Sequence, residues 1–146
     1  MGNYWEIDEG AVDSARFFEA LWRHFPEATT FYAEGCGIAR DVKACYSAHQ
    51  EEGRYLPSAQ TIFPRSAKFR CRFSADLTAA LSSLAETHTE SELLHHLALY
   101  RGSVDLLFWH DAFANVLLVS REVPESVVSA SAAELGLHYR DGGGVG

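Results

Sequence analysis

VDLLFWHDAFANVLLVS, running from Val104 to Ser120, is the stretch whose reading decides the fold. Two apolar runs, Val104 to Trp109 and Val116 to Val119, flank a polar and aromatic joint, His110-Asp111-Ala112-Phe113-Ala114-Asn115. Runs this short, rich in Val, Leu and aromatics and bounded by turn formers, read as two strands of a hairpin or tight corner. Val104 to Phe108 also fits a continuation of the helix before it, because short apolar runs do not separate the two periods. A strand pair alone is marginal in water, so the rest of the chain must cover it.

The covering elements are legible on both sides. Phe17, Phe18, Leu21, Trp22 and Phe25 recur at three- and four-residue steps, which predicts a core helix from about Asp13, its N-cap, to Phe25 before Pro26. Ala28 to Ala33 is β-prone and ends in Glu34-Gly35-Cys36-Gly37, ahead of a second helix from about Ile38 to Glu52. Arg54 to Pro64, with two prolines, is expected to be loop with a short strand at Gln60 to Phe63. Lys68 to Phe73 alternates strictly, with Phe69, Cys71 and Phe73 on one face and Lys68, Arg70 and Arg72 on the other. Ser74 is a fitting N-cap for a helix bearing Leu77, Leu81 and Leu84. Thr89 with Glu92 has capping-box spacing, and Leu93, Leu94, Leu97 and Tyr100 continue a helical stripe as far as Gly102. Pro124 and Glu125 open a last helix, which Gly136-Leu137 closes in Schellman fashion.

Runs of helices and strands without regular alternation predict an α+β domain. The expectation is a single domain over residues 1–140, with a mixed or mostly antiparallel sheet of four to five strands covered by about five helices. Residues 141–146, DGGGVG, read as a disordered tail. A 146-residue chain that is 47% hydrophobic can build its own core without disulfide or metal staples. Three cysteines with no C-x-x-C pair, no apolar run of membrane-spanning length and no leader-like N-terminus point to a cytoplasmic protein with reduced thiols.

Twelve basic against twenty acidic residues leave a formal charge of −8. That charge speaks against a general nucleic-acid binder, whose affinity comes from neutralising phosphates, and favours a basic partner.

Four groups could carry chemistry. Cys36 sits between two glycines at a strand-to-helix turn, where free backbone N–H groups can lower a thiol pKa and, with Arg40 nearby, hold an anion. A tight turn with a small buried residue is the structural alternative. Cys45 and His49 lie one helical turn apart, yet zinc would need two more ligands and only Cys71 is attractive, so no metal site is expected. The histidines His88, His95, His96 and His110 form a third group. Consecutive His95 and His96 diverge by roughly 100° on a helix and do not easily share a metal. His110-Asp111 could complete a thiol–imidazole dyad with an orienting carboxylate if the fold brings Cys36 or Cys45 to it, or could simply be turn chemistry. The ladder Arg65, Lys68, Arg70 and Arg72 is either a binding stripe or a solvated strand face.

The leading expectation is a small acidic protein-binding module, in its sharpest form an inhibitor or immunity-type protein neutralising a basic partner. The binding candidates are Glu34, Arg40, Trp109, Phe113, Arg70 and Arg72. The rival is a cysteine-dependent hydrolase or transferase with Cys36 as nucleophile, His110 as base and Asp111 as orienter. A third reading is a non-catalytic small-ligand domain. No motif calls for a cofactor.

Overall fold

A computed structural model describes residues 4–8, 10–51 and 67–142. Its elements run β1 (Tyr4–Ile7), α1 (Ser14–His24), β2 (Thr30–Gly35), α2 (Arg40–Ala48), β3 (Ala67–Arg72), α3 (Ala75–Ala85), α4 (Glu90–Leu93), β4 (His96–Arg101), β5 (Val104–Trp109), β6 (Leu117–Ser120), α5 (Glu125–Leu135) and β7 (Tyr139–Asp141). The strands form one antiparallel sheet in the order β3-β2-β4-β5-β6-β1-β7. The apolar runs at Val104 to Trp109 and Val116 to Val119 form β5 and β6, and β5 is the middle strand. Among the described residues no helix is long and apolar enough to cross a membrane.

The α+β class and the number of helices agree with the sequence. The sheet, however, has seven strands rather than four to five. The main reason is β4. Leu93, Leu94, Leu97 and Tyr100 fit a helical stripe, but α4 stops after one turn: Leu94 is extended at φ −176° and ψ 163°. The chain then enters the sheet, where Leu97, Ala98 and Leu99 are at most 1% exposed. A central strand buried on both faces has no polar side, so its alternation is invisible. Gly102, read as a helix stop, is instead the first residue of the two-residue β4–β5 turn, at φ +62°. Glycine at that position of a hairpin turn avoids the Cβ clash of the left-handed region.

The short strands at the far edge add the rest. β1 pairs with β6, and β7 pairs with β1, so the described ends of the chain lie side by side. Three residues of β7 are too few for alternation to register. Asp141, assigned to the tail by the sequence reading, is paired with Trp5 in this strand. The expected strand at Gln60 to Phe63 and the ladder residue Arg65 lie outside the described residues.

Local signals act as read. Asp13 Oδ1 accepts from the Ala15 N–H at 3.0 Å, and Ser74 Oγ from the Leu77 N–H at 3.1 Å. The Thr89 N–H donates to Glu92 Oε1 at 2.8 Å, closing α4's capping box. Gly136 at φ +73° and the Leu137 N–H on the Ala132 carbonyl, 2.8 Å, end α5 in a Schellman motif.

The main core lies between the helices and one face of the sheet. Phe17, Phe18 and Leu21 of α1, Tyr46 of α2, Leu77 and Leu81 of α3 and Val128 of α5 pack there on Phe31, Leu97, Leu99, Leu107 and Val119. The opposite face carries no helix among the described residues. Register places Arg70, Tyr32, Ala98, Phe108, Leu118, Glu6 and Arg140 in one row across it. A smaller cluster of Tyr32, Ala98, Tyr100 and Phe108 sits on that face.

Leu107, 1% exposed, faces Leu99 and Val119 at the centre of the sheet. Leu107→Ala should cost about 2–5 kcal/mol in a urea unfolding titration, whereas Arg101→Ala, on an exposed residue at the β4–β5 turn, should stay within ~0.5 kcal/mol.

Candidate functional site

Antiparallel pairing brings the end of β2, the start of β4 and the end of β5 to one edge of the sheet. Glu34 stands opposite Lys68 and His96, and His110 follows β5 at the same level. The joint His110 to Asn115 therefore docks on β4. The Ala112 N–H donates to the His95 carbonyl at 2.7 Å, and the Asp111 N–H donates to His96 Nδ1 at 3.0 Å. Two non-glycine residues of the joint are left-handed, Asp111 at φ 52° and Phe113 at φ 71°. Such backbone persists only where the surroundings over-determine it. Here the Phe113 ring packs on Trp109 and Phe17, at 4.8 and 5.7 Å between centroids, and the Trp109 indole N–H donates to the Asn115 carbonyl at 2.7 Å.

His96 and His110 stack face to face, 4.2 Å between centroids and 5° from parallel, and His110 Nε2 is 3.7 Å from Asp111 Oδ2. Among the described residues this is the one group of three metal-ligand types whose ligand atoms lie close together. Its geometry does not fit a metal ion. An imidazole binds a metal in its ring plane at about 2.0–2.1 Å, and two parallel planes in a stack share no such point. His96 Nδ1 is moreover occupied as an acceptor, which leaves the ring proton of the neutral form on Nε2. The arrangement is a hydrogen-bonded stack that holds a strained turn. Burial, followed by the His110 charge, holds the His96 pKa below the usual imidazole value, which keeps that acceptor available near neutrality.

The cysteines separate sharply. Cys71 is buried, its Sγ 3.4 Å from the Tyr46 carbonyl, and its pKa is pushed up to about 12 by burial first and then by the neighbouring Cys45 and Glu51 charges. Burial also raises Cys45. His49 Nδ1 is engaged by the Cys45 carbonyl at 2.9 Å. These three residues do neighbour one another, as the Gln50–Cys71 bridge implies, but as packing rather than as metal ligands. Cys36 is exposed in the turn after β2. β2 and β5 flank β4, so Cys36 and His110 leave the same sheet edge one strand apart.

The other candidates fall in unlike places. Glu34 is fully buried at the end of β2, with its Oε1 accepting from the Tyr32 hydroxyl at 3.4 Å, rather than standing in an open loop. Arg40 is exposed at the first residue of α2. The anion reading of that helix end fails on its own residues: Asp41 occupies the first turn and meets His88 Nε2 at 2.8 Å, and the Ala39 N–H is taken by the Glu92 carbonyl at 2.9 Å. Arg70 pairs with Glu51 at 3.1 Å, and Arg72 is exposed on the edge strand. Trp109, 3% exposed, is core rather than contact surface, and half-buried Phe113 pins the turn.

Sequence reasoning missed a depression on the sheet face that bears no helix among the described residues. Tyr4 of β1, Tyr100 of β4, Asp105 and Phe108 of β5 and Leu118 of β6 line about 280 Å³ there. All five are half-buried, and the Tyr4 hydroxyl donates to Asp105 Oδ2 at 3.3 Å. The only local hint was a carboxylate inside an apolar strand. A wider groove of about 890 Å³ runs between α1 and α3, lined by alanine, serine and threonine of α3 together with Trp22, Pro26 and the charged Glu19, Arg23 and Glu86.

No protein-family model matches the chain, and neither a curated protein nor a solved structure matches it.

Two measurements check this site. With iodoacetamide at neutral pH, Cys36 should be carbamidomethylated first, while Cys71 should stay unlabelled until the chain unfolds; early labelling of Cys71 would contradict its burial. For His96 the folded pKa is the lower one, so as pH falls below about 6.5 the unfolded chain takes up the proton first and stability drops. In an NMR titration His110→Ala should raise the His96 midpoint, because the stacked like charge is gone.

Proposed function

We propose that the chain is a protein-binding module whose partner is basic, and that the sheet face bearing no helix among the described residues is the contact surface. The observation that carries this reading is the half-buried aromatic and acidic depression of Tyr4, Tyr100, Asp105, Phe108 and Leu118 on that face. Half-buried aromatics at the centre of a patch are what protein interfaces use as anchors. Charge supports the sign of the partner. Arg23, Arg70, Arg121 and Arg140 are tied to carboxylates within the fold, and the whole chain keeps an excess of eight negative charges. In its sharpest form the module is an inhibitor or immunity-type protein that neutralises a basic partner, with the opposed charges speeding encounter. An odd count of three cysteines with no C-x-x-C spacing fits a reducing, cytoplasmic setting for that role.

A second reading retains a cysteine-dependent hydrolase or transferase, favoured by one observation: the exposed Cys36 shares the sheet edge with His110. Against it stands the engagement of His110 in the stack with His96 and beside Asp111. Loss of any detected hydrolytic activity on Cys36→Ala, with the fold retained, would be its support.

The module reading is tested by affinity capture on immobilised wild-type protein and on Phe108→Glu, which places a charge in the apolar part of the patch. Wild-type protein should retain a stoichiometric partner of high isoelectric point that elutes with rising salt, and Phe108→Glu should lose it. A partner held equally by the variant, or held regardless of salt, would overturn the surface or the charge argument respectively.

A further inference from the structure

We propose that the depression bounded by Tyr4, Tyr100, Asp105, Phe108 and Leu118 is a cation cage that receives an arginine side chain of the basic partner. This rests on the protein-binding reading above and names what that surface recognises.

Asp105 is the starting point. It is half-buried, yet among the described residues no arginine or lysine pairs with it, in contrast to Glu6, Asp8, Glu51, Glu134 and Asp141. Its partner is the Tyr4 hydroxyl, which donates to Oδ2 at 3.3 Å and leaves the other oxygen's lone pairs for a further donor. Burial, and then the Asp105 charge, raise the Tyr4 pKa, so the phenol remains the donor and the carboxylate the acceptor. A partly desolvated carboxylate without a cation is an incomplete ion pair.

The walls choose the same sign of charge. Tyr4, Tyr100 and Phe108 line the space, and aromatic rings attract cations. Leu118 supplies an apolar contact suited to the methylene stem of a long basic side chain. Size separates a side chain from a larger guest: about 280 Å³ falls below the roughly 300–1,000 Å³ typical of pockets for drug-sized ligands. Arginine suits the site better than lysine. A planar guanidinium can stack on an aromatic ring while its N–H fork meets a carboxylate, which a compact ammonium cannot do in the same plane.

The test uses isotopically labelled full-length protein and three free probes: N-acetyl-argininamide, N-acetyl-lysinamide and the uncharged isostere N-acetyl-citrullinamide. The arginine probe should shift the amide resonances of Tyr100, Asp105, Phe108 and Leu118. Asp105→Asn should weaken it about tenfold, as should replacing it by the citrulline probe. Phe108→Leu, which keeps an apolar side chain in place, should weaken it without abolishing the fold, as melting temperature would show. Equal binding of the citrulline probe, insensitivity to Asp105→Asn, or absence of any shift at these residues would overturn the cage. Equal binding of the lysine probe would overturn the assignment to arginine. The outcome is separable from the partner's existence. A captured partner with a silent arginine probe defeats the cage alone, and a responsive cage with no captured partner defeats the protein-binding reading alone.

Discussion

Pairing of β5 with its two neighbours is the constraint on which the remaining structure depends. β5 meets β4 through Leu99–Leu107 and Leu97–Trp109, and it meets β6 through Leu107–Val119. Because side chains alternate along a strand, this register decides which residues of each neighbour face the helices. A slip by one residue would carry Leu97, Leu99, Leu107 and Val119 off the core face and expel the anchors of α1. The register shift between Leu99 and Tyr100 places Asp105 opposite Tyr100, and so sets a carboxylate among aromatics on the other face.

The described helices all lie on one face of the sheet, and the surface proposed for recognition lies on the other. Helices α1, α2, α3 and α5 bury a continuous apolar layer against one face, with Phe17, Phe18, Tyr46, Leu77 and Leu81 fully or almost fully hidden. On the other face Tyr32 and Ala98 are buried as well, while Tyr4, Tyr100, Asp105, Phe108 and Leu118 are half-buried beside them. The turn at His110 to Asn115 belongs to both regimes. Its Phe113 is locked into the core beside Trp109, while His110 and Asp111 stay exposed and lean on His96. A stack that depends on a neutral His96 links the conformation of this turn to pH, through the acceptor at Nδ1 and the like charge of its neighbour.

Much of the architecture was legible because its signals are local. The caps at Asp13, Ser74 and Thr89–Glu92, the stop at Gly136 and the alternation of Lys68 to Phe73 each need only a few neighbouring residues to act. The candidate site was legible in fragments. His110-Asp111 stood out as the joint of the strand pair, but its partner His96 was placed on a helix, because Leu93, Leu94, Leu97 and Tyr100 satisfy a helical period as well as a strand. Trp109 and Phe113, named as binding candidates, are consumed by packing, which no spacing rule distinguishes from binding.

By itself, then, the sequence determined the α+β class, the helix starts at Asp13, Ser74 and Thr89, the stop at Gly136, the central strand pair and the acidic balance, since hydrophobic period, capping chemistry and charge are properties of neighbouring residues. The tertiary structure alone decided that β4 is a strand, that seven strands assemble in the order observed, and that Tyr4 meets Asp105 across 101 positions of chain. Those are outcomes of long-range pairing, where the backbone of β4 gains hydrogen-bonding partners on both sides that a one-turn helix could not supply, and they are what build the face that we assign to recognition.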